Sequence, residues 1–171
     1  MKTKLTRTER KILGLCEVFY HKHYTQLKHN AVHWMLYLLY RKNVSVGQYS
    51  YIESSDGPYS ADLEADLNIL DEKQEDIMDF YDAELTIHAV PAAYLGSADC
   101  IREMLDLKHH DNVVAWVDML AYLSFMAASE TGGGTRIIIC NRYMMLKPNA
   151  DYEPVKEAWQ VLDSAGMTFV K

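Results

Sequence analysis

From Val113 to Ala128 the chain is apolar except at Asp118 and Ser124. The stretch falls short of the roughly 18 continuous apolar residues that a membrane-spanning helix needs, and no other segment comes closer. Asn112 stands where an N-cap belongs, and Trp116, Leu120, Leu123 and Phe125 mark a helix over 113–129. A helix that is apolar on most sides has to lie in the middle of a folded unit, so this segment is expected to form the centre of the core.

The remaining segments supply faces that can surround it. Thr6-Arg7-Thr8-Glu9 has the form of a capping box, followed by Ile12, Leu15, Cys16, Val18 and Phe19 at helical spacing. A second helix is expected from about Thr25 to Lys42, with Trp34, Tyr37 and Tyr40 among Val32, Met35, Leu36, Leu38 and Leu39. Asn43 to Gly57 alternates as an extended loop or weak hairpin would. Ser60 caps a helix of about 60–74 carrying Leu63, Leu67 and Leu70, and Ser97 is expected to cap another running to about His109. Residues 75–96 show no clear period beyond a short strand-like run, Glu84 to His88. Gly132-Gly133-Gly134 is expected to be a hinge. The segment 136–146 is helical by length and strand-like by Ile137-Ile138-Ile139. Pro154, Val155, Ala158, Trp159, Leu162 and Gly166 outline a last helix and its stop. Together these predict one mainly α domain over 1–171, of about six or seven helices with at most a short β-hairpin or extended segment.

Charge is distributed unevenly along the chain. Residues 1–47 hold nine Lys and Arg against two Glu, residues 48–112 three against sixteen acids, and residues 113–171 five against six, giving the net −7. An acidic whole argues against general polyanion binding, which rests on phosphate neutralisation. The basic front keeps a local nucleic-acid or acidic-partner site open through Arg7, Arg10, Lys11, Lys22, Lys28, Arg41 and Lys42. Two complementary surfaces meeting within the fold or between subunits explain the asymmetry more simply. Cys16, Cys100 and Cys140 have no C-x-x-C pairing, and no early apolar signal segment is visible, so a cytoplasmic location is expected.

Asp56-Gly57-Pro58-Tyr59-Ser60 carries a structural logic of its own. Glycine permits a backbone angle closed to other residues, proline fixes the next, tyrosine anchors the turn, and serine satisfies a helix amide. A groove lined by Tyr59 and Ser60 at the helix N-terminus is the second reading. Met35-Leu-Tyr-Leu-Leu-Tyr40 followed by Gly57-Pro58-Tyr59-Ser60, Leu63 and Leu67 resembles the YwgA-like bacterial family and, more distantly, the Panacea domain of SocA-like antitoxins. Trp116-Val-Asp-Met-Leu120 through Leu123, then Leu146-Lys-Pro148 with Glu157-Ala-Trp159 and Leu162, also resemble the YwgA-like pattern, so that the likeness runs over roughly residues 28–165. It implies a mostly helical domain and a helix at 136–146. On the Panacea side it also implies neutralisation of a toxin or delivery to a protease.

Catalytic signatures are missing from the sequence: there is no phosphate loop, dinucleotide fingerprint, nucleophile elbow or H-E-x-x-H. His29 and His33 share a helix face at a spacing that a metal can bridge, with His21, His23 or His109-His110 as distant completions. No carboxylate shares their turn, so packed or surface histidines are the simpler expectation. Glu64, Asp66, Asp71, Glu72, Glu75, Asp76 and Asp79 fit a solvated helix face better than a cation site, because the EF-hand spacing is absent. No catalytic residue, cofactor or metal is therefore assigned. The leading expectation is a non-catalytic module that binds another protein or a second copy of itself. The alternatives are a helix-turn-helix or winged-helix nucleic-acid binder built on 6–42, and an enzyme joining His88 or His109 to a carboxylate.

Overall fold

The computed structural model describes residues 4–82, 90–129 and 135–168. Thr6 opens α1 (Arg7–Tyr20) as expected: its hydroxyl accepts from the Glu9 amide at 3.1 Å, and the Glu9 carboxylate accepts from the Thr6 amide at 2.7 Å. Ile12, Leu13, Leu15, Cys16 and Phe19 form the buried stripe. The helix ends at His21, held at φ 55°.

The second helix starts later than its periodicity suggests. Tyr24–Gln26 make a single 3-10 turn, Leu27 and Lys28 are extended, and α2 spans His29–Arg41. Local hydrogen bonds explain the break. The His23 amide donates to the Gln26 side chain, and the Tyr24 amide donates to the Tyr81 hydroxyl rather than to a preceding carbonyl. Strands β1 (Ile52–Ser54) and β2 (Gly57–Tyr59) then form a two-stranded antiparallel hairpin, with Ile52 opposite Tyr59 and Ser54 opposite Gly57.

Ser60 caps α3 (Ala61–Asp71) by accepting from the Leu63 amide at 3.3 Å. Residues expected to be irregular from 75 onward instead form α4 (Gln74–Asp82), seated by buried Ile77 and Phe80. Their i, i+3 pair is submerged among acids, which hides the helical period. The strand expected at Glu84–His88 and the Gly132–Gly134 hinge lie outside the described residues. Helix α5 (Ala92–Met104) begins after Pro91 and not at Ser97, because proline supplies the helix entry and the Tyr94 amide already closes onto the Pro91 carbonyl. Asp106, at φ 57°, separates α5 from a 3-10 turn at Leu107–His109.

Helix α6 (Val113–Ser129) is the central element, packed against α2, β2, α7 (Arg136–Leu146) and α8 (Tyr152–Ser164). The Asn112 side chain accepts from the Ala115 amide, as an N-cap does. Val117, Leu120, Leu123 and Met126 are fully buried. Ser124, one of the two polar breaks in this helix, is completely satisfied: it accepts from Arg41 Nε at 3.2 Å and donates to the Met167 carbonyl at 3.0 Å. Residues 136–146 are helical, and α8 stops with Gly166 at φ 70°. The fold is mainly α, with eight α-helices among the described residues. That is one more than the largest number expected, and the addition is α4. No helix there is long and apolar enough to cross a membrane.

Candidate functional site

The Gly57–Ser60 turn is the junction through which α2, α3 and α6 meet. Gly57 adopts φ +100°, and a Cβ there would lie 3.3 Å from Trp34 Nε1 and 3.6 Å from Tyr122. The Trp34 indole donates to the Asp56 carbonyl at 2.7 Å, fixing the hairpin tip to α2. Tyr59 stacks on the His33 ring with centroids 4.8 Å apart. Gly57, Tyr59 and Ser60 thus each make contacts that hold the turn against α2 and α3.

His33 makes the turn part of a larger polar chain. It is buried, its Nδ1 accepts from the Ser60 amide at 3.2 Å, and its Nε2 faces Glu64 Oε2 at 2.9 Å. An accepting Nδ1 leaves the proton on Nε2, so His33 donates to Glu64 as a neutral imidazole. Burial lowers the pKa of His33, and the neighbouring Glu64 charge only partly opposes that. Glu64 Oε1 reaches His29 Nδ1 at 2.8 Å, and the other His29 nitrogen reaches Asp71 Oδ2 at 2.8 Å. Two carboxylates require two donors, which only the imidazolium provides. Burial acts to lower the His29 pKa, but hydrogen bonds and charge from Glu64 and Asp71 override it and raise it. For Glu64, burial acts upward and is overridden by the two histidines, so its pKa falls. Tyr24 closes the chain by donating to Asp71 Oδ1 at 2.7 Å.

This arrangement explains the His29–His33 spacing without a metal. Their carboxylates come from α3, more than thirty positions along the chain, where no same-turn search could find them. Glu64 is thereby turned away from the solvated acidic face to which it was expected to belong, Asp71 stays exposed while bonding His29, and Asp66 accepts from the Tyr49 hydroxyl.

The seven basic residues of the front segment are placed very differently from one another. Arg41 is buried and donates to Ser124 and the Met167 carbonyl, Lys42 donates to the Ala165 carbonyl, and Lys11 is buried with its ammonium 4.1 Å from the Tyr94 ring centroid. Arg7, Arg10, Lys22 and Lys28 are exposed. Arg7 opens α1 and Lys22 follows its C-terminal cap, with a helix about 20 Å long at 1.5 Å per residue between them. Of the histidines considered for catalysis, His88 lies outside the described residues, and His109 is exposed and bonded to Asp106. Asp118, the second polar break in α6, has no hydrogen-bond partner for Oδ1, and burial pushes its carboxyl up to about 6 although Lys147 opposes the shift. Cys16 is buried, and burial pushes its thiol far up, which suits a core residue and not a nucleophile.

One surface feature escaped the sequence pattern. Helix α7 buries Ile139, Cys140 and Tyr143 on one side and exposes Ile137, Ile138 and Met145 on the other, with Leu146 exposed at its C-terminal end. Ile137 is 61% exposed, Ile138 55% and Met145 82%. At 100° per residue these three fall within one arc of about 100°, whereas Leu146 lies about 80° beyond it, close to the direction of Ile139. The available signal was that 136–146 is apolar on both sides of its helical wheel. Comparison with known proteins adds nothing further: no family model, no curated protein and no solved structure matches the chain.

Proposed function

We propose that the protein is a non-catalytic interaction module that binds another polypeptide through the outer face of α7. The observation that carries this reading is the arc of Ile137, Ile138 and Met145 on a helix already anchored by its opposite side. Isolated exposed apolar side chains are ordinary, but several on one helix face are the form a docking surface takes. An apolar helix face recognises a partner that presents a complementary apolar stripe or groove. The resemblance to YwgA-like and Panacea domains fits within this proposal, with an antitoxin-like or adaptor-like role as its specific form.

The test is affinity purification of the tagged protein from its native cells, with and without nuclease, beside a variant carrying Ile138→Glu and Met145→Glu. Both positions are exposed, so the variant should retain the helical circular dichroism and melting temperature of the parent. The parent is expected to bring down a near-stoichiometric, nuclease-resistant polypeptide that the variant loses. Equal recovery by both proteins moves the contact away from α7. Recovery that depends on nucleic acid instead transfers the function to the exposed basic residues Arg7, Arg10, Lys22 and Lys28.

A further inference from the structure

We infer that Asp106, His110 and Glu157 form a binding site for a divalent cation of the zinc class. They come from two distant parts of the chain: Asp106 and His110 flank the 3-10 turn between α5 and α6, and Glu157 lies on α8. One ligand atom from each falls within 4.8 Å of the other two. Tetrahedral coordination at about 2.0–2.2 Å places ligand atoms roughly 3.5 Å apart, so a small inward movement of the exposed Glu157 side chain and its partners completes the geometry.

Features around the three residues support a ligand rather than a chance grouping. The His110 ring stacks on Trp116 at 3.8 Å and 12°, so its plane is set before any ion arrives. Its Nε2 is buried and has no hydrogen-bond partner. An unpartnered buried nitrogen is costly, and a cation is one of the few groups that satisfies a lone pair there. His109 Nδ1 bonds Asp106 Oδ1, the kind of outer contact that holds a ligating carboxylate in place. One neutral imidazole and two carboxylates balance a doubly positive ion, and the mixed nitrogen and oxygen set suits zinc, manganese or ferrous iron better than calcium or magnesium. With three protein ligands at the surface, water fills the remaining position. Binding ties the connection between α5 and α6 to α8.

The test uses the full chain, freed of metal with a chelator and titrated with zinc chloride by calorimetry, with cobalt(II) as a spectroscopic probe. Expected are one ion per chain, a visible cobalt band of four-coordinate intensity, and movement of the His110 ring nitrogen signals in NMR. The melting temperature should rise by about 5–10 °C at roughly a hundredfold excess over Kd. Glu157→Gln changes an exposed side chain and should weaken binding about tenfold or more while leaving the metal-free melting temperature unchanged. Asp106→Asn should do the same to binding. Absence of a saturable isotherm overturns the inference. So does affinity unchanged in Glu157→Gln, or metal-induced movement of the His29 and His33 signals in place of those of His110.

Discussion

Glu64 is the residue whose replacement should reveal the polar chain most directly. Glu64→Gln keeps the shape but removes the charge and one of two accepting oxygens. The glutamine oxygen can accept from His33 Nε2 or from His29 Nδ1, and its amide then faces the other ring. The pair His29 and Glu64 is about a quarter exposed, with side chains at 23% and 27%. Charge-assisted bonds contribute about 1.5–3 kcal/mol when well formed, and partial exposure favours the lower end. The expected loss is therefore about 2 kcal/mol near pH 6, or about 4–8 °C in melting temperature for a chain of this size.

The pH dependence follows from the direction of each shift. His29 is raised from 6.5, so its contribution is complete below about pH 6.5 and disappears as pH rises through its folded pKa. Glu64 is lowered from 4.5, so its contribution is present above about pH 4.5 and disappears as pH falls through its folded pKa. His33 is lowered from 6.5 and adds stability above that value which is lost toward acid. The His29–Glu64 pair therefore contributes most between about pH 4.5 and 6.5. At pH 9 a larger share of His29 is neutral in the parent than at pH 6, so the cost of Glu64→Gln should shrink toward roughly 1 kcal/mol. Thermal unfolding followed by circular dichroism at both pH values measures this, together with NMR titration of the His29 ring. An equal cost at pH 6 and pH 9, or no cost at either, refutes the imidazolium assignment.

Gly57→Ala should destabilise by about 1–2 kcal/mol in urea unfolding, because it combines a positive φ with a Cβ 3.3 Å from the Trp34 nitrogen. Leu120→Ala, at the centre of α6, should cost about 3–4 kcal/mol by the same assay, whereas Ile138→Ala on the exposed α7 face should stay within about 0.5 kcal/mol. Asp118→Asn should stabilise near pH 8 by an amount on the order of 1–3 kcal/mol. A carboxyl raised from 3.8 to about 6 loses stability as pH rises through that folded value, so the gain should vanish below about pH 4. Thiol titration of the native protein should modify exposed Cys100 and spare buried Cys16 and Cys140 until denaturant is added.

What the sequence made legible was local. The capping box at Thr6, the Ser60 and Asn112 caps, the buried stretch 120–127 and the stop at Gly166 each depend on residues within a few positions of one another, and all appear in the fold. Helix α4 was obscured because its only buried residues, Ile77 and Phe80, lie in an acidic run whose charge dominates any periodic average. The start of α2 was misplaced because Tyr81, far along the chain, takes the Tyr24 amide.

The same division separates the two roles of Ser60. Its hydroxyl answers to Leu63, three residues away, and could be anticipated; its amide answers to His33, which lies on another helix, and could not. His29 and His33 were visible as a pair, yet their chemistry is decided by Glu64 and Asp71 across the interface with α3. A pair of histidines on one helix face fits a metal, a pH-sensitive network or a packed core equally well until the opposing helix is known. Here that helix brings carboxylates that already occupy three of the four ring nitrogens, while Ser60 holds the fourth. No nitrogen is left to ligate a metal, and this same test, applied to His110, returns a buried nitrogen with no protein partner.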